Sequence, residues 1–158
     1  MKNKKILKIG LILFAAVIVI AGGIGLYLFN LPHRDVQASK SDFSVTTTQI
    51  VTEYLIDKDR ANQKYLSSDG DSKILEVTGI VNKISEEFNG LKVVLLKSNE
   101  DKAGVSATFS VETRSNAASL QVGQTVTLKG VILSGASYDE DLGLYENVIL
   151  EKSDLLAK

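Results

Sequence analysis

The stretch Ile74 to Ile84, ILEVTGIVNKI, puts the tightest limit on what this chain can become. It is rich in β-branched residues and reads as one long strand, interrupted near its middle by Gly79. A glycine inside a strand weakens it unless the backbone must bend there or meet another backbone closely. The pattern returns downstream, where Leu128-Lys129-Gly130-Val131-Ile132 echoes Val77-Thr78-Gly79-Ile80-Val81. Two strands that each carry such a glycine predict corners at which a small antiparallel sheet curls and closes.

The residues around them supply the remaining strands. Asn89-Gly90 predicts a hairpin into a second strand, Leu91 to Lys97, and Asn99 to Gly104 makes a turn. In Val105 to Val111, Val105, Ala107, Phe109 and Val111 alternate with Ser106, Thr108 and Ser110, which predicts an apolar inner face and a small polar outer one. Glu112 to Gln121 suits a short helix ended by Gly123, and Gln124 to Leu133 a fourth strand. Ser134 to Tyr145 reads as a long acidic loop before a last strand, Glu146 to Glu151. Three strands, a short helix and two more strands is the order β1-β2-β3-α-β4-β5 of a five-stranded OB-fold Greek-key barrel. The barrel is expected over residues 73–152, with a tail at 153–158. An open antiparallel sheet with a helix on one face is the competing architecture, and the helix position favours the barrel.

Upstream, Ile9-Phe29 is an uncharged run of 21 residues. As a helix it would be about 31 Å long, enough to cross a bilayer core. Lys2, Lys4, Lys5 and Lys8 make residues 1–8 a basic, cytoplasmic N-terminus, so the expectation is one transmembrane helix at 9–29. The cytoplasmic membrane is then crossed once, with the C-terminal domain periplasmic or otherwise extracytoplasmic. A cleaved secretory signal ending near Val19-Ile20-Ala21 is the rival reading, and both export the domain. Residues 30–42, with the only proline and the only histidine (Pro32 and His33), read as a juxtamembrane linker. Residues 43–66 form a helical lead-in. Thr46-Thr47-Thr48 offers N-caps, and Ile50, Val51, Tyr54 and Leu55 make a stripe continued by Ala61 and Tyr65, in one amphipathic helix or two short ones. The two aspartates of Ser67 to Asp71 lack the spacing of a calcium loop and read as a solvated turn.

Charge and composition narrow the function classes. Of 18 Lys and Arg, five precede residue 35 and no acid does, so the remainder carries 13 basic against 19 acidic residues and a net charge of −6. An acidic domain attracts polyphosphate poorly, and nucleic acid is not the expected partner. With no cysteine and one histidine, thiolate metal sites, cysteine nucleophiles and a Ser-His-Asp set are all lacking. No catalytic residue, metal site or cofactor is expected, and no enzyme.

Four segments carry a family resemblance. Pro32-His33-Arg34-Asp35-Val36, Ala61-Asn62-Gln63-Lys64-Tyr65-Leu66, Leu75-Glu76-Val77-Thr78-Gly79-Ile80-Val81 and Gly123-Gln124-Thr125-Val126-Thr127-Leu128-Lys129-Gly130 together resemble the tRNA-anti-like family over residues 30–151. The resemblance implies bacterial OB-fold proteins held at the membrane by an anchor or a lipid. It implies a fold and not RNA binding. Cysteines that such proteins carry in late strands are absent here, with Ala107 in one such region, so it implies no redox or metal role.

The expected function is a membrane-anchored binding module for an unidentified protein or small ligand, with an oligonucleotide as the alternative. The candidate binding residues are Lys92 and Lys97, at the ends of the second strand, and Tyr138, Asp139, Asp141 and Tyr145 in the acidic loop.

Overall fold

The computed structural model describes residues 17–26, 34–68 and 72–156. The chain divides into two compact units, Met1–Arg34 and Asp35–Lys158. In the first, residues 17–26 are helical. Among the described residues no helix is long and apolar enough to cross a membrane. Most of the expected span Ile9-Phe29 lies outside them, as do His33 and residues 69–71.

The second unit is mainly β. Its elements in order are β1 (Phe43–Thr46), α1 (Thr47–Ile56), α2 (Lys58–Tyr65), β2 (Ile74–Glu86), β3 (Lys92–Leu96), β4 (Val105–Phe109), α3 (Arg114–Ala117), β5 (Thr125–Ser134), β6 (Ser137–Asp139), β7 (Leu144–Glu146) and β8 (Val148–Leu155). Neighbouring strands run β2-β3-β4-β8-β5, and β5 pairs back onto β2, which closes a five-stranded barrel. The β4–β8 pair is parallel, while β2–β3, β3–β4, β5–β8 and β2–β5 are antiparallel. The alternation in β4 holds: Val105, Ala107 and Phe109 are buried, and Ser106 and Thr108 lie at the half-buried outer surface. Each fully buried Leu or Phe contributes about 1.5–3 kcal/mol over leaving it in water.

Gly79 and Gly130 both stand at barrel corners, and close approach is the reason. Gly79 lies where β2 passes from its pairing with β5, which ends at Ile80↔Thr125, to its pairing with β3, which begins at Val81↔Leu96. A Cβ there would sit 2.2 Å from Thr47 Oγ1 and 3.1 Å from Leu96 Cβ, so glycine lets the start of α1 rest on the barrel. At Gly130 a Cβ would sit 2.5 Å from Ser153 Oγ. Opposite it β8 bulges, with Lys152 at φ 51. The bulge bends β8 so that it can pair with both β4 and β5.

The lead-in is a strand and two helices. β1 pairs in parallel with β2, Phe43↔Leu75 through Thr46↔Thr78, along the part of β2 that β3 does not reach. Thr46 caps α1, its hydroxyl accepting from Gln49 N at 3.2 Å. Asp57 caps α2, its carboxylate accepting from Arg60 N at 3.0 Å, and this capping breaks the helical stripe in two. Ile50, Tyr54, Ala61 and Tyr65 face the core.

Several expected boundaries are corrected. Phe43–Thr46, expected within the helical lead-in, is a strand because β2 offers it an open edge. Val111, expected to point inward, is 62% exposed because β4 ends at Phe109. The long acidic loop contains a two-stranded hairpin, β6–β7. β8 runs on to Leu155, through much of the expected tail, because it has to span two partners. Part of the expected linker is docked: Val36 is buried, Gln37 Nε2 donates to Lys152 O at 2.7 Å, and Lys129 Nζ donates to Gln37 O at 2.9 Å and Ser39 O at 2.5 Å. Lys129 is thus a buried tether for the lead-in.

Candidate ligand-binding surface

The hairpin β6–β7 brings two rings to one face. Tyr138 and Tyr145 are directly paired across it, and their ring centroids lie 4.7 Å apart at 48°. Tyr145 packs partly against the core, and Tyr138 is half exposed. The loop between β3 and β4 is fastened to the base of this hairpin: Gly104 N donates to Asn147 Oδ1 at 2.7 Å, and Val148 N donates to Gly104 O at 3.0 Å. Within the loop, Ser98 N and Oγ both donate to Asp101 Oδ2, which folds it back on itself. The result places Lys102 Nζ 5.6 Å from the Tyr145 ring centre, while Lys97 Nζ donates to Lys102 O at 3.1 Å. Two ammonium groups and two phenol rings therefore share one end of the barrel. An exposed cation–ring contact contributes about 0.5–1 kcal/mol, and the same arrangement suits a ligand with a flat face and negative charge.

The other expected residues part company. Lys92 sits at the opposite end of β3, about 17 Å away along the strand. There it is ion-paired with Glu86, its direct partner across β2–β3. The Lys92 hydrogen bond and charge hold the Glu86 carboxyl below its usual range. Lys92 therefore balances a neighbouring acid and does not join the ring-bearing end. Asp139 is used by the hairpin turn: its Oδ1 accepts from Leu142 N at 2.9 Å and its carbonyl from Gly143 N at 2.8 Å. Asp141 is exposed in that turn, where Glu140 is exposed as well. Lys97, Tyr138 and Tyr145 come together, and Lys102, which was not among the expected binding residues, joins them. Its position over Tyr145 depends on a contact across 43 residues, for which no local pattern exists. Among the described residues, no group of three or more His, Cys, Asp or Glu could hold a metal ion.

The tRNA-anti-like family matches the chain over residues 1–141. The chain belongs to that family. The match takes in the N-terminal hydrophobic run and stops in the β6–β7 turn, before β8, so it begins earlier and ends sooner than the resemblance drawn over 30–151. The segments that carry the tRNA-anti-like resemblance have structural work. Ala61 and Tyr65 form the buried face of α2, and Lys64 Nζ donates to Glu53 Oε2 at 2.8 Å. Val77 and Leu128 are barrel core, and Gly79 and Gly130 its corners. Among solved structures, a lipoprotein from Klebsiella pneumoniae subsp. pneumoniae MGH 78578, whose name proposes nucleic-acid binding, is similar at 16% identity with a TM-score of 0.53. The similarity covers 80% of this chain and 100% of that one, and at this identity it shows a shared fold. No curated protein matches the chain.

Proposed function

We propose that this tRNA-anti-like protein is a non-catalytic binding module, held at the cytoplasmic membrane by Ile9-Phe29 with its barrel outside, and that it takes its ligand on the Tyr138–Tyr145 rings beside Lys97 and Lys102. The observation that carries the reading is the ring pair with Lys102 poised 5.6 Å from one ring centre. The half-exposed Tyr138 leaves a ring edge and part of a face for a ligand to cover.

A short single-stranded oligonucleotide is the specific form of this reading that the geometry favours, since it carries both a stacking face and negative charge. The Klebsiella lipoprotein's name supports the same form. The expectation against nucleic acid rested on a net charge of −6, and the outer face of the third strand carries only Ser106, Thr108 and Ser110. The hairpin supplies the aromatics elsewhere. The acids Asp139, Glu140 and Asp141 still border the site, so binding is weak and fades with salt.

Fluorescence anisotropy of a labelled oligothymidylate against the full-length protein in detergent tests this. Binding at low salt is expected, weakened about 5- to 30-fold by Tyr138→Ala, in line with the loss of one stacking contact. Lys102→Ala should weaken it and flatten its salt dependence. No low-salt binding, or binding indifferent to both changes, rejects the oligonucleotide form and leaves a protein or small ligand as the partner.

A further inference from the structure

The hairpin has a second face, and a different kind of cavity opens beneath it. Ser137 and Glu146 pair directly and point away from the Tyr138–Tyr145 side, because neighbours along a strand alternate faces. Between that face and α2 lies a groove of about 380 Å³. Its floor is the outer surface of the barrel, with Ser106 from β4 and Ile149 from β8, and its walls include Asn62 from α2 and Asn147 at the hairpin base. We propose that this groove between α2 and the β6–β7 hairpin binds one or two units of an uncharged sugar chain.

The unused hydrogen-bonding capacity points to a polar occupant. Among the described residues, the side chains of Asn62, Ser106 and Ser134 make no hydrogen bond. Asn147 accepts from Gly104 N through its oxygen alone, so its NH2 group is left to donate. Amides and hydroxyls that both donate and accept match neighbouring sugar hydroxyls, while Leu66 and Ile149 give apolar patches for C–H faces. Charged groups occur only at the exposed rim, Lys58 on one side and Glu146 on the other. An anionic or cationic ligand on the floor would lose water without gaining a fixed counter-charge. No aromatic ring lines the groove, which disfavours a nucleobase. On the floor a peptide strand finds no edge to pair with, because β4 and β8 each have a partner on both sides.

A buried group lies behind the floor without reaching the groove. Gly135 lines the groove with the Tyr54 ring against it, such that a Cβ would fall 1.9 Å from Cε1 and 2.3 Å from Cζ. The phenol half of Tyr54 therefore lies directly behind Gly135. Tyr54 is 2% exposed, and its hydroxyl has no hydrogen-bond partner among the described residues. Burial, with smaller contributions from Tyr65 and Glu53, pushes its pKa up to about 12, so it stays a donor. A buried donor without an acceptor costs about 1–3 kcal/mol.

The site is independent of the ring-and-lysine surface, and the test keeps them apart. Full-length protein in a detergent without a sugar headgroup is titrated with chitobiose, cellobiose and maltose by saturation-transfer NMR, with a charged disaccharide and a tripeptide as comparators. At least one neutral disaccharide is expected to bind saturably. Asn62→Leu and Ser106→Val should each weaken it about three- to tenfold, one or two hydrogen bonds' worth, with thermal unfolding unchanged. Tyr138→Ala, on the far face of the hairpin, should leave sugar binding intact. Failure of all three disaccharides, binding indifferent to both groove variants, or preference for the tripeptide would each overturn the proposal.

Discussion

Glu53 collects three hydrogen bonds on one carboxylate, from Gln49 Nε2 at 3.1 Å, Lys64 Nζ at 2.8 Å and the Tyr65 hydroxyl at 2.9 Å. Burial alone would raise its pKa, but the three bonds and the Lys64 charge outweigh it and hold the carboxyl below 4.5. The same bond raises Lys64 above 10.5. A depressed carboxylate stabilises the fold above its unfolded pKa and loses that contribution as pH falls through the folded value. A raised lysine contributes below its unfolded pKa and is lost as pH rises through the folded one. The network thus acts at full strength from about pH 5 to 10. Glu53 and Lys64 are each about a third exposed, so solvent limits the pair to roughly 1 kcal/mol or less. Glu53→Gln should lower the melting temperature by a few degrees at pH 7, with the gap closing at an acid pH below the depressed folded pKa. Melts followed by circular dichroism at both pH values check this. An equal gap at each would assign the loss to packing and not to charge.

Among the elements, the lead-in to the barrel depends on Lys129. Its ammonium, buried on β5, holds the carbonyls of Gln37 and Ser39. Lys129→Met keeps the stem and removes both bonds, at a cost of about 1.5–3 kcal/mol each. Hydrogen exchange should then rise across residues 35–46 while β3 and β4 stay protected. Unchanged exchange would mean that Val36 and the β1 pairing hold the segment unaided. The barrel strands were legible in the sequence because alternation such as Val105-Ala107-Phe109 is local, and so are interior glycines. β1 was not, because four residues gain their conformation only from β2, some thirty residues on. β6 and β7 were hidden for a related reason: three-residue strands flanking an acidic turn are too short and too polar to alternate visibly. Tyr138 and Tyr145 were picked out within that stretch, but their pairing, and Lys102 beside them, exist only after folding.

For the whole molecule, the absence of native cysteine makes orientation directly testable. With Glu140→Cys at the exposed hairpin turn, a membrane-impermeant maleimide should label intact cells. Labelling only after lysis would put the barrel inside and reverse the orientation inferred from Lys2, Lys4, Lys5 and Lys8. The pairing of β1 with β2 also decides where the protein can be cut. A boundary drawn at residue 73 looks natural from the chain order, yet it would strip Phe43–Thr46 from Leu75–Thr78 and bare a row of peptide groups on a half-apolar rim. Such a rim recruits any extended chain that drifts past, another copy included. Fragments starting there should clump or swap segments, whereas those starting before Asp35 keep their own seal.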